Sequence, residues 1–423
     1  MMYGKKLKLP LVGAMLLLPS LAFAEGPDAG NTAWMLVSSA LVLVMLPGLA
    51  LFYGGMVRSK NVLSTSMHIF AAMAIIGVQW VAFGYSLAFG GPGTFIGGLQ
   101  HLFLGGITPD TLTGTIPTYV FVMFQGMFAI ITPALIAGAV AERMKFSTYC
   151  VFIFLWATLV YDPLAHWVWG EGGWLLEMGA LDFAGGTVVH LSSGISALVL
   201  AIFLGKRKGY PQERFFPHNL PMTLLGAGLL WFGWFGFNAG SALSAGGSAA
   251  LAFTTTQTAA AAGALSWMLV EWLKAGKPSA LGAASGVVAG LVVITPAAGF
   301  VTPGWALVMG LLAGAVCYGG VMLKHKLGYD DSLDAFGVHG VGGAFGALAT
   351  GIFATVGATG LLAGNFHQFV VQLIGVVAAG AYAVVVTIGI LLLLKVTMGL
   401  RVTTDEERMG LDQTAHSESG YNI

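Results

Sequence analysis

Eleven long apolar stretches alternate with short loops in this chain, and lysine and arginine fall only in every second loop. The stretches run over 31–54, 65–90, 117–140, 147–168, 184–204, 219–238, 249–273, 279–299, 303–323, 335–356 and 367–398. Each supplies the roughly 20 residues that a helix needs to cross a hydrocarbon core of about 30 Å. Only 9% of residues are charged, against about 25% in a soluble domain. The chain therefore reads as an all-α polytopic membrane protein. Arg58 and Lys60, Arg143 and Lys145, the cluster at 206–214, Lys274 and Lys277, Lys324 and Lys326, and the tail from Lys395 hold every lysine and arginine beyond residue 24. Basic loops stay on the cytoplasmic side. The pattern predicts a mature amino terminus outside the cell and a carboxyl terminus inside.

Residues 1–24 read as a cleaved signal peptide. Lys5, Lys6 and Lys8 form its charged region, Leu11 to Leu18 its apolar core, and Ala22-Phe23-Ala24 its cleavage site. An uncleaved first helix is the alternative. The expected organisation is a signal at 1–24, a transmembrane domain at 25–400 and a cytoplasmic tail at 401–423. No basic patch or stacking-aromatic module points to nucleic acid. Cys150 and Cys317 lie far apart in apolar runs and read as small core residues.

Five duplicated helices plus a final one would give eleven, and a five-helix copy must enter the membrane upside down. Such an inverted repeat places equivalent elements together near the midplane. The fifth and tenth stretches would then correspond, and each carries a histidine. His190 stands in DFAGGTVVHLSSG and His339 in DAFGVHGVGG, each after an aspartate and each with glycine four residues on. An ionisable group in hydrocarbon is costly and faces a bundle interior or a polar path. Depth tests the pairing. His190 lies about 12 Å of helix beyond Asp182, and His339 about 7.5 Å beyond Asp334. In a ~30 Å core a gap of about 10 Å remains, so contact requires Asp334 to be buried or the helix to be broken. A neutral imidazole pair can share one proton, one ring donating and the other accepting. A satisfied core histidine is the alternative. The remaining histidines (His68, His101, His166, His218, His325, His367, His416) read as structural or solvated.

Aromatic residues crowd the other ends of the third, fourth and sixth stretches. Phe124 and Phe128 share a helical face at i and i+4. His166-Trp167-Val168-Trp169 closes the fourth stretch, and Trp231, Trp234, Phe235 and Phe237 precede Asn238-Ala239-Gly240-Ser241. An interfacial aromatic belt accounts for such residues, Trp167 and Trp174 above all. Rings beside one hydroxyl also suit a small cation. Asp182 is read both as a helix N-cap and as a fixed charge at the mouth of a cation path.

Taken together, these residues resemble the Amt/MEP/Rh ammonium transporter family, and its bacterial Amt branch most closely. DFAGGTVVHLSSGISAL from Asp182, running on to Gly205-Lys206-Arg207, is similar to the family signature. So are PGLALFYGGMVRSKNVLS (47–64), FQGMFAI (124–130), AERMKFS (141–147), PLAHWVWG (163–170), GWFGFNAGS (233–241) and DDSLDAFGVHG (330–340). The resemblance spans essentially the whole mature chain. It implies an eleven-helix inverted repeat of five plus five and a final helix, assembled as a homotrimer in the cell inner membrane. It implies transport of ammonium or ammonia, with methylammonium as analogue, and no cofactor. Phe128, Trp169 and Ser241, with Phe124 beside them, would recruit ammonium, and Asp182 would hold the electrostatics of that site. Phe128 and Phe237 would form the gate, and His190, His339 and Trp234 would line the pore. The tail resembles a segment that docks under the bundle and engages PII-type signalling proteins. Met409 stands where relatives often carry glutamate, and Asn31 where many carry aspartate.

Two rival readings use the same residues. In one, His190 and His339 are axial ligands of a b-type cytochrome. In the other, the chain senses ammonium through a PII protein with little flux.

Overall fold

The computed structural model describes residues 26–421, so the expected signal at 1–24 lies outside the described residues. Every predicted stretch coincides with a helix. They are α1 (Ala29–Met56), α2 (Ser59–Phe89), α3 (Thr118–Val140), α4 (Phe146–Glu177), α5 (Gly186–Leu204), α6 (Leu220–Gly240), α7 (Gly247–Ala275), α8 (Ala280–Ile294), α9 (Pro303–Leu327), α10 (Phe336–Phe353) and α11 (Phe366–Thr397). Among the described residues nine are both long and apolar enough to cross a membrane. The other two are α7, whose first half holds four threonines and a glutamine, and α8. The 15 residues of α8 span only about 22 Å. Pro296 ends that helix five residues before the predicted limit, and turns continue to Phe300. A two-stranded hairpin, β1 (Leu112–Thr113) with β2 (Ile116–Pro117), sits in the loop between α2 and α3.

The inverted repeat is visible in the packing. α1 packs on α2 and α3 as α6 packs on α7 and α8; α2 meets α3 and α4 as α7 meets α8 and α9; α3 meets α5 as α8 meets α10. Counterpart helices run antiparallel. Gly48 of α1 faces Leu230 and Gly226 of α6, Gly55 faces Thr223, and Ser38 faces Gly240. Rising numbers in one helix meet falling numbers in the other. The same holds for α5 and α10, where Gly194 abuts Gly340 and Gly343 abuts Leu191. These glycines let the backbones close on one another.

The irregular turn of α4 has a local cause. Pro163 in α4 has no N–H to give to the carbonyl of Leu159, and that carbonyl accepts the Tyr382 hydroxyl of α11 at 2.8 Å. A π-turn at Ala157–Tyr161 precedes the proline.

The basic loops gather at one end of the bundle, around the fully buried Glu142. Its carboxylate accepts from Arg58, from Arg207 at 3.2 Å and from Asn61 at 3.1 Å, while Arg207 grips Asp330 with two nitrogens at 2.9 Å. Burial opposes the charge of Glu142, but Arg207 and Arg58 hold it below the usual carboxylate range. The tail docks on this end as α12 (Thr404–Met409) and α13 (Leu411–His416). Glu407 accepts the Lys208 N–H at 2.6 Å, and Asp412 accepts the Ser64 N–H at the start of α2 at 2.7 Å. Asn31, at the opposite end, bonds Thr115 and the Ala245 N–H, each at 2.8 Å.

Candidate functional site

At the end opposite the basic loops a vestibule of about 320 Å³ opens among Phe121, Gln125, Phe128, Trp169, Ser241 and Leu243. Trp169 turns its indole N–H to the Asp182 carbonyl at 2.8 Å. Its ring stands edge-on to Phe128, with centroids 6.1 Å apart. The Ser241 hydroxyl donates to the Phe237 carbonyl at 2.9 Å, which leaves its lone pairs free to accept. Phe124 packs on Phe128 at 5.0 Å but is fully buried and stands behind the vestibule wall.

Below the vestibule the Phe128 and Phe237 rings stack at 4.1 Å and 24°. Both are buried and lie between the vestibule and the cavity beneath it. A cavity lies beyond them, lined by Val189, His190, Leu230, Trp234, Val288 and His339 among others. It leaves about 10 Å³ to the centre of a water-sized molecule, which is room for about one small solute. The Nδ1 atoms of His190 and His339 lie 3.2 Å apart, and the rings stack with centroids at 5.2 Å. Trp234 stacks on His190 at 5.3 Å and fixes its own indole by donating to Thr295 Oγ1 at 2.9 Å. A second cavity, of about 30 Å³, continues from His339 past Tyr53 and Ser285 to Asp334. Asp334 is paired there with Lys324. Two ring nitrogens in direct contact leave no room for a metal between them, since axial ligands at about 2 Å each stand about 4 Å apart. That removes the cytochrome reading.

The gap of about 10 Å that depth arithmetic leaves does not exist. Asp182 is buried, and its carboxylate accepts four backbone N–H groups, those of Gly185, Gly186, Thr187 and Val188, at 2.6–3.1 Å. It caps α5 from inside the bundle. Its counterpart in the repeat is Asp331, not Asp334. Asp331 is fully buried, accepts the Phe336 N–H at 2.8 Å and stands eight residues before His339, as Asp182 stands eight before His190. Both helices thus begin below the surface. Both carry their histidine on a π-turn, Gly186–Leu191 and Phe336–Gly340. Asp182 borders the vestibule through Trp169 and does not line it. Phe121, Gln125 and Thr295 were not singled out by sequence. Gln125 lies inside the FQGMF run, where its position between two rings was a usable signal.

The comparisons agree with this architecture. Residues 33–421 match the profile of the Ammonium Transporter Family. An ammonium transporter of Bacillus subtilis is 53% identical over 400 residues, covering 93% of this chain and 98% of its own length. Among solved structures, Saccharomyces cerevisiae Mep2 superposes with a TM-score of 0.84 at 40% identity, covering 90% of this chain and 89% of that one. A structure described as a sensor Amt protein superposes with a TM-score of 0.86 at 32% identity, covering 92% and 98%. This multi-pass membrane chain belongs to the ammonium transporter family.

Proposed function

We propose that the chain carries ammonium into the cell across the inner membrane, with the vestibule outside and the basic end and tail in the cytoplasm. The observation that carries this reading is the order of elements along one path: an aromatic vestibule, a closed pair of phenylalanines, then two touching imidazoles in an apolar cavity. A bare cation in such a cavity costs several kcal/mol or more. Ammonium is therefore held outside, by the rings of Phe128 and Trp169 and the Ser241 hydroxyl, with Phe124 backing them and the buried Asp182 carboxylate favouring positive charge. It gives up a proton near Phe128 and Phe237, and ammonia passes. His190 and His339, with Trp234 stacked on His190, relay the proton. Potassium, which has no proton to shed, is excluded. Homotrimeric assembly and a PII-type partner at the docked tail belong to the same proposal.

The test is methylammonium uptake and ion selectivity in His190→Ala and His339→Ala. Unchanged selectivity in both variants would sink the relay. The likeness to a sensor Amt protein supports a second reading, sensing through the tail with little flux. Ammonium-evoked current in reconstituted bilayers separates the two.

A further inference from the structure

Among the described residues four π-turns occur in the bundle, and two carry the paired histidines. The other two, Trp80–Gly84 in α2 and Ala157–Tyr161 in α4, flank a second buried polar pair away from the pathway. π-turns recur at functional sites. Asp162 stands sixteen residues into α4, about 24 Å of helix from the basic end, and is fully buried. Its Oδ2 accepts from the Gln79 amide nitrogen of α2 at 2.7 Å. Its Oδ1 has no partner, and neither has Gln79 Oε1. Among the described residues no lysine, arginine or histidine forms an ion pair with Asp162.

A lone carboxylate inside hydrocarbon is far costlier than a neutral acid. Each unsatisfied buried acceptor adds about 1–3 kcal/mol. One proton removes both costs. On Asp162 Oδ1 it makes the carboxyl a donor to Gln79 Oε1, and acid and primary amide then present complementary edges joined by two hydrogen bonds. The seat is built for the amide: a Cβ on Gly84 would stand 2.6 Å from Gln79 Oε1 and 2.8 Å from Nε2, so bare backbone lies against it.

We propose that Asp162 permanently holds a proton and pairs with Gln79 as a neutral acid–amide clamp, a positioning element outside the ammonium path. The clamp ties α2 to α4, and Trp80 passes that position on to α3. The Trp80 indole donates to the Val122 carbonyl at 2.9 Å and packs on Gly126, where a Cβ would stand 2.8 Å from the ring. Val122 and Gly126 bracket Phe124 one turn before Phe128. The proton on Asp162 thereby steadies the helix that bears the phenylalanine stack. It does not move during transport.

The signature is spectroscopic, so it stands apart from any outcome on conduction. Infrared difference spectra between the purified full-length protein and Asp162→Asn, taken at neutral pH in H2O and D2O, read the carboxyl directly. The expected result is the carbonyl stretch of a protonated acid in the wild type, moved down in D2O and lost in Asp162→Asn. The exchanged pair Gln79→Glu with Asp162→Asn should bring the band back. A wild type with no such band, Asp162 being ionised opposite His166 one turn on, would overturn the proposal. If Asp162→Asn does not fold, Gln79→Leu takes its place. Removing the amide must shift the band, and an unmoved band overturns the pairing.

Discussion

The Nδ1 atoms of His190 and His339 meet at 3.2 Å, so only one of the two can carry a proton. The pair is a single unit with one shared hydrogen, and His190 Nε2 has no other partner. Removing either ring breaks the same bond. His190→Ala and His339→Ala should each lower methylammonium-evoked current by about 100-fold, the low end of what a positioned proton-transfer group contributes. The double variant should be no worse than the poorer single one, as for residues acting together. Additive losses in reconstituted bilayers would show two independent roles.

Asp182 makes four hydrogen bonds to the open start of α5. Asp182→Ala leaves four N–H groups without acceptors in a buried place. The expected loss is about 3 kcal/mol of stability, from unsatisfied donors and a missing cap. Asp182→Asn keeps one acceptor oxygen and should lose roughly half as much. Thermal unfolding in detergent checks the order of the three proteins. Equal midpoints for Ala and Asn would mean that charge alone, and not capping, is what this residue supplies.

Much of this was legible in sequence because hydropathy and charge speak directly to membrane topology. Nine of the helices announce themselves by apolar length. Threonine-rich α7 and the 15-residue α8 read as apolar stretches of spanning length too, and Pro296 is what shortens α8. Depth was the weak step. It measured His339 from Asp334, whereas the buried Asp331 is the counterpart of Asp182, at the same eight-residue offset that separates Asp182 from His190. Matching the two offsets in the sequence would have located it. The Asp162–Gln79 contact had no such signal, because it joins residues 83 apart whose spacing follows no motif. Phe124 shares a face with Phe128 yet lies behind the wall, a distinction that periodicity cannot draw.

Gly194 lies against the backbone of Gly340, closer than any Cβ would allow, at the crossing that brings the two imidazoles together. Gly194→Ala must push α5 from α10, and overpacking of this kind costs about 1–3 kcal/mol. Transport should fall more than stability, because the 3.2 Å contact of the rings is more sensitive to displacement than the fold. Gly228, where a Cβ would meet nothing within 4 Å, is the control. Gly228→Ala should leave both readouts unchanged. A Gly194→Ala protein with full transport would show that the histidine contact is not needed.

Glu142 draws three loops together through Arg58, Arg207 and Asn61. Burial works against its charge, and Arg207 and Arg58 overcome it, so its folded pKa lies below the ordinary value of 4.5. Asp330 is likewise held low: burial opposes its charge, and Arg207 again prevails. A carboxylate with a lowered folded pKa contributes stability that is present above its unfolded pKa. That contribution is lost as pH falls through the folded value. The wild type should therefore keep a level thermal midpoint above the ordinary carboxylate range and lose it steeply below. Glu142→Gln leaves two guanidinium groups facing a neutral amide. Breaking one partner of a buried pair costs about 3–5 kcal/mol, so this variant should unfold earlier at neutral pH and show a shallower acid slope. Unfolding curves recorded across the acid range for both proteins make the comparison. A Glu142→Gln slope as steep as the wild type's would move the acid-sensitive site elsewhere.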